Sequence, residues 1–244
     1  MQRYFVDNAT SSNAVIQGED AHHITRVMRM KEGEQVIVVS NERAYLSTIT
    51  SISELTVTVV LGEKLPLQTE LPLDVVIACG LPKGDKLDLV IQKATELGMA
   101  GFIPFEAERS IVKWDDRKWQ KKKERYGKIA KEAAEQSHRT VIPTIHDLHT
   151  FHQLTETMKK YDVVLVCDEE EAKKTERVRF ADHLKTVYDI KSILVIFGPE
   201  GGLERDEVEK LVANGAAATT LGPRILRAET APLYALAALS YEFE

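Results

Sequence analysis

The sequence predicts an α/β protein in two parts, a small antiparallel β-barrel over residues 1–70 and a larger domain built on a parallel sheet over 73–244. Three observations predict it. Short segments of alternating polarity fill the first part, continuous apolar runs separated by helical spacing fill the second, and a polar stretch bracketed by Pro66 and Pro72 lies between them.

In the first part, EQVIVVS (34–40), AYLSTITSI (44–52) and LTVTVVLG (55–62) read as strands separated by polar turns at Asn41-Glu42 and Ser53-Glu54. Between residues 20 and 34, DAHHITRVMRMKEGE reads as a short helix opening at Asp20 and stopping before Gly33. That helix would bring His23, Arg26 and Arg29 together at i, i+3 spacing.

From Leu73 the period changes. LDVVIACG and GFIPF read as buried strands flanking a helix over 85–98, whose Leu87, Val90, Ile91, Ala94 and Leu97 share one face and which Gly98 ends. This is a βαβ unit, and hence the start of a parallel sheet covered by helices. A basic helix near 115–138, another near 147–160, strands at 162–167, 191–198 and 216–222, and a last helix over Thr230–Phe243 continue the alternation.

The composition, 43% hydrophobic and 29% charged, is that of a folded soluble chain, and excludes fibrous and disordered classes. No apolar run is long enough to span a membrane and MQRYFVDNATSSN lacks a secretory apolar stretch, so a cytoplasmic location is expected. Cys79 and Cys167 lie inside apolar strands and read as buried thiols. The seven histidines show no metal-binding spacing, and the acidic run 168–171 reads as a solvated loop, so no metal is expected.

The net charge of −6 hides an asymmetry: residues 109–139 hold eleven Lys and Arg against five acids, while the rest of the chain is strongly acidic. Such a run is either a solvated helix face or a nucleic-acid contact. Arg109, Lys122 and Arg139 from it, with Arg26 and Arg29 and the pair Lys83 and Lys86 ahead of the first βαβ helix, are the candidate nucleic-acid contacts.

Two glycine-containing loops, FGPEGG (197–202) and LGPRILRAETA (221–231), end the last two strands, at the sheet edge where open α/β folds bind ligands. Neither has the Lys-Ser/Thr of a P-loop, and no G-x-G-x-x-G follows the first strand, which disfavours nucleoside triphosphates and dinucleotides. The loops, together with LPKGDKLDLVIQKATELG, the ERS of 108–110 and EAAEQSHR (132–139), resemble the ribosomal RNA small subunit methyltransferase E family of the SPOUT superfamily over essentially the whole chain. The resemblance implies a PUA-like RNA-binding barrel, a SPOUT domain whose end is threaded into a trefoil knot, and a homodimer. It further implies S-adenosylmethionine (AdoMet) as methyl donor and N3 of a uridine in small-subunit ribosomal RNA, or in the small subunit itself, as target.

Carried onto this chain, Gly198, Pro199, Glu200 and Gly202 match the family's first cofactor loop, and Leu221, Gly222, Ile225 and Leu226 the second. Leu165 and Cys167, at the end of the preceding strand, are placed to line the same pocket. Arg227 and Glu229 follow at once and are the candidate catalytic pair, with a surface ion pair capping the last helix as the plainer reading. A SPOUT ribose 2′-O-methyltransferase and a noncatalytic ribosome-assembly protein are the alternative functions.

Overall fold

A strand buried on both faces reads as an unbroken apolar run, and β6 (Asp74–Gly80) shows what this one does with it. Its Val75, Ile77 and Cys79 face one core and Val76 and Ala78 the other, because successive side chains point to opposite faces. This computed structural model describes residues 1–66, 68–173, 177–185 and 189–243. Leu67, within the predicted linker, lies outside the described residues.

The chain divides into two compact units, residues 1–70 with 134–141, and residues 71–133 with 142–244. The division at 70–73 read from sequence thus needs amending at one point: 134–141 packs with the first unit. That unit is a five-stranded curled half-barrel in the order β1-β3-β4-β5-β2, made of β1 (Arg3–Phe5), β2 (Asn13–Gln17), β3 (Gln35–Ser40), β4 (Arg43–Ile52) and β5 (Thr56–Lys64). All neighbours are antiparallel except β1 and β3, which run parallel. The short β1 and β2 carry too few residues for a visible alternation, and sequence reading missed both. The expected helix after Asp20 is α1 (Gly18–His22), continued by a π-helical turn over His23–Val27, with Arg29 in the left-handed region at φ 53°. The wider turn breaks the i, i+3 alignment of His23, Arg26 and Arg29. Ile24, fully buried, and a 3.0 Å hydrogen bond between Tyr4 Oη and His23 Nδ1 anchor the segment.

The second unit holds a seven-stranded parallel sheet in the order β12-β10-β11-β6-β7-β8, with β9 also on β7. Its strands are β6, β7 (Gly101–Glu106), β8 (Thr144–Ile145), β9 (His149–Thr150), β10 (Val163–Cys167), β11 (Ser192–Phe197) and β12 (Ala217–Thr219). In register, Cys167 of β10 lies beside Phe197 of β11, and Phe197 beside Cys79 of β6. One face is covered by α2 (Lys86–Glu96), α3 (Asp116–Gln136) and α8 (Thr230–Phe243), through Val90, Ile91, Tyr126 and Leu236. The other is covered by α4 (Phe151–Met158) and α7 (Arg205–Ala213), through Leu154, Met158, Val208 and Leu211. Short helices α5 (Glu169–Lys173) and α6 (Phe180–Leu184) lie between β10 and β11. The helix expected at 147–160 begins only at Phe151, where Thr150 and Gln153 form a capping box.

Candidate active site

Strands β10, β11 and β12 deliver their carboxyl ends to one edge, and the loops that leave them enclose a cavity of about 390 Å³. That volume lies in the ordinary range for a small-molecule site. The first loop folds as it does because of two glycines. A Cβ on Gly198 would stand 2.7 Å from the carbonyl carbon of Gly202, so the chain can close on itself there only without a side chain. Gly202 sits at φ 71° and donates its N–H to the Pro199 carbonyl at 2.9 Å.

The cavity brings together Gly198, Pro199, Glu200, Gly202, Leu221, Ile225 and Leu226, with Arg227 at its rim. Gly222 is not on its wall; it makes the turn behind it, at φ 123°, where its N–H and C=O both bond the Thr220 hydroxyl. Cys167 lines the cavity and Leu165 does not. Sequence reading missed Asp168, Glu169, Thr219, Thr220 and Arg224, all on the wall. Asp168 and Glu169 follow β10 directly, so the rule that ligands gather at this sheet edge could have found them. Phe197, Leu221 and Leu226 give the lining an apolar side, and Ile225 stands 68% exposed at the mouth, a large apolar side chain left for something else to cover.

The candidate catalytic pair is split in character. Arg227 is 85% exposed, while Glu229 is 17% exposed and its Oε2 is buried without a hydrogen bond; the two approach only to 4.0 Å. Such a contact is too long and too wet to act as a firm cap.

The candidate RNA contacts separate more sharply. Arg26, Arg29 and Lys83 are exposed, although the Lys83 backbone N–H donates to Glu200 Oε1 at 2.9 Å. Lys86 is half-exposed, and its side chain is on the cavity wall with the ammonium engaged by two carboxylates, 2.9 Å from Glu200 Oε1 and 3.5 Å from Glu229 Oε2. The Glu200 carboxylate, hydrogen-bonded to it, raises this ammonium above its ordinary value and keeps it charged. Arg109 is turned onto the first loop, donating from Nε and Nη2 to Glu204 at 2.8 and 3.0 Å and from Nη1 to the Gly201 carbonyl at 2.8 Å. Lys122 pairs with Asp85 at 3.2 Å and lies over the rings of Trp114 and Tyr126. Arg139 is 3% exposed and bound to Glu70, because the turn after α3 carries it into the first unit. A buried guanidinium does not reach RNA, so that assignment is corrected. Among the described residues no three His, Cys, Asp or Glu side chains gather as a metal site, and no helix is long and apolar enough to cross a membrane.

Residues 69–240 match the model of an RNA methyltransferase domain, and residues 16–62 that of an RNA methyltransferase PUA domain. The ribosomal RNA small subunit methyltransferase E of Bacillus subtilis is 47% identical, covering all of this chain and 98% of its own. The chain belongs to the ribosomal RNA small subunit methyltransferase E family. The family's fold is shared by a member from Neisseria gonorrhoeae solved with S-adenosylmethionine, at 24% identity and a TM-score of 0.86 over 99% of this chain and 97% of that one. A Legionella pneumophila protein solved in complex with the same cofactor is 27% identical, with a TM-score of 0.85 over 98% of this chain and 96% of that one.

Proposed function

We propose that this family member transfers the methyl group of AdoMet to N3 of a uridine in small-subunit ribosomal RNA, in the cytoplasm and as a homodimer. The observation that carries the reading is the cavity closed by the two loops at the ends of β11 and β12, because its lining suits AdoMet part by part. Leu221, Leu226 and Phe197 suit the adenine and thioether, while Lys86, Glu169 and Glu200 suit the charged amino-acid end and the ribose. AdoMet, when bound, supplies an electrophilic methyl group and requires no metal.

The protein's part is to make N3 nucleophilic. That nitrogen is protonated in neutral uridine, and losing the proton leaves an imide anion spread over O2 and O4. Glu229, whose Oε1 is the carboxylate oxygen toward Arg227 at the rim, is the group suited to take the proton. Arg227, untethered at the rim, is free to approach the anion and stabilise it; it stays charged at neutral pH and cannot be the base. The uridine must be unpaired to offer N3, at a cost of a few kcal/mol. Phosphate contacts offset that cost. Arg26 and Arg29 in one unit, and exposed Arg117, Lys118 and Lys121 on α3 in the other, are the cations suited to make them.

The knot belongs to the same reading. β12 lies at the sheet edge beyond β10, yet α8 returns to pack on α2 and β11, so 220–229 must cross the ends of the strands between. The dimer is supported by α8, whose Tyr234 and Tyr241, the latter 90% exposed, leave an apolar side uncovered.

Calorimetry with AdoMet, and nucleoside mass spectrometry of small-subunit RNA incubated with both, test the reading. Binding of AdoMet and formation of 3-methyluridine are expected; methylation at a ribose hydroxyl instead would overturn it. In single-turnover reactions Arg227→Ala should lose about 100-fold or more in rate, and Glu229→Gln a similar factor, with AdoMet affinity little changed in either.

A further inference from the structure

Lys86 opens α2 and stands between two carboxylates that belong to different loops. Glu200 lies in the loop after β11, where Lys86 Nζ and the Lys83 N–H both donate to its Oε1 at 2.9 Å. Glu229 ends the loop after β12, and its buried Oε2 has Lys86 Nζ at 3.5 Å. Among the described residues the other cation paired with Glu229 is Arg227, at 4.0 Å, and solvent screens that contact because the guanidinium is exposed. A carboxylate held this way has a counter-charge beside its buried Oε2 and keeps Oε1, on the side of Arg227, to accept a proton.

We propose that Lys86 is a positioning residue for methyl transfer, its ammonium tying the Glu229 carboxylate to the cofactor loop through Glu200. The inference rests on the proposed function, which assigns Glu229 as proton acceptor. One cation shared by both loops makes the placement of the base depend on the placement of the loop that holds the methyl donor. The charged groups facing this cluster are Glu200 from the first loop, Arg227 and Arg224 from the second, and Glu169 from α5 across the cavity.

The test uses Lys86→Met, which keeps the length of the side chain and removes its charge, and Lys86→Arg, which keeps the charge. Three quantities are measured: the single-turnover rate against pH at saturating AdoMet and RNA, the AdoMet affinity, and the salt dependence of RNA binding. Lys86→Met is expected to slow the transfer about 10- to 100-fold, the scale of a misplaced group. Lys86→Arg should recover most of the rate, and the salt slope should not change. A Lys86→Met protein with the wild-type rate overturns the proposal. So does one whose sole defect is an RNA salt slope lower by about one, which marks a phosphate contact, or one whose sole defect is AdoMet affinity, which marks a service to the cofactor loop alone. A wild-type protein that binds AdoMet but transfers nothing to uridine overturns the functional reading itself, a result distinct from all of these.

Discussion

Replacing Arg139 by Met separates a structural cation from an RNA-binding one. The guanidinium donates to Glu70 Oε2 at 2.9 and 2.5 Å, and the same carboxylate's Oε1 accepts from the Thr140 and Val141 N–H groups at 2.7 and 3.2 Å. Arg3 Nη1 adds a 2.9 Å bond to the Arg139 carbonyl, which the substitution leaves in place. Breaking a fully buried pair by removing one partner costs about 3–5 kcal/mol. Here Glu70 is 27% exposed and keeps its backbone donors, and Met refills much of the volume, so the loss works out lower, at about 2–3 kcal/mol. At about 2–4 °C per kcal/mol for a chain of this size, the melting midpoint should fall by about 4–12 °C. Glu70→Ala should cost more, because it removes the acceptor that the backbone also uses. The assay is thermal and urea unfolding by circular dichroism, beside RNA binding measured at several salt concentrations below the midpoint. Arg139→Met should lower stability and leave the salt slope unchanged. Unaltered stability with a slope lower by about one would refute the reasoning and return Arg139 to the RNA surface.

Arg109→Ala should weaken AdoMet binding, because it frees Glu204 and the Gly201 carbonyl and so loosens the first loop, while the RNA salt slope stays the same; calorimetry and salt titrations check both. Gly202→Ala should cost about 1–2 kcal/mol of stability from its left-handed backbone. Gly198→Ala should abolish AdoMet binding outright, since its Cβ meets backbone; an unaltered AdoMet affinity in this variant would show that the loop is not the binding element. Burial pushes His146 below its ordinary value of 6.5, so the unfolded chain takes up the proton first and stability declines as the pH falls below about 6.5. Urea unfolding of His146→Gln should show a shallower decline across that range than the wild type.

The features legible in the sequence are those that repeat. Val75 to Cys79 and Leu87 to Ala94 announce a buried strand and a helix by period alone, and the two glycine loops announce a site because both follow strands in an alternating pattern. What escaped is set by partners distant in sequence. Lys86, Arg109 and Arg139 carry the same charge, and nothing local reveals that their acceptors lie 114, 95 and 69 residues away at Glu200, Glu204 and Glu70. Arg26 and Arg29, which the structure leaves exposed, are indistinguishable from them in the sequence. The π-helical turn is likewise invisible, since the apolar spacing of Ile24 and its neighbours suits an ordinary helix equally well.

Cys167 has a consequence for a protein that stores an alkylating agent. A thiolate is a far better methyl acceptor than a uridine, and this sulfur sits on the wall of the cavity proposed to hold AdoMet. Burial pushes the Cys167 thiol up, so it keeps its proton and remains inert toward the sulfonium. Oxidation offers no other protection, because Cys79 lies two strands away, with β11 between them, and at about 4.8 Å per strand the pair is beyond disulfide reach. A substitution that brought a cation beside Cys167 would therefore turn the enzyme's own methyl donor against it.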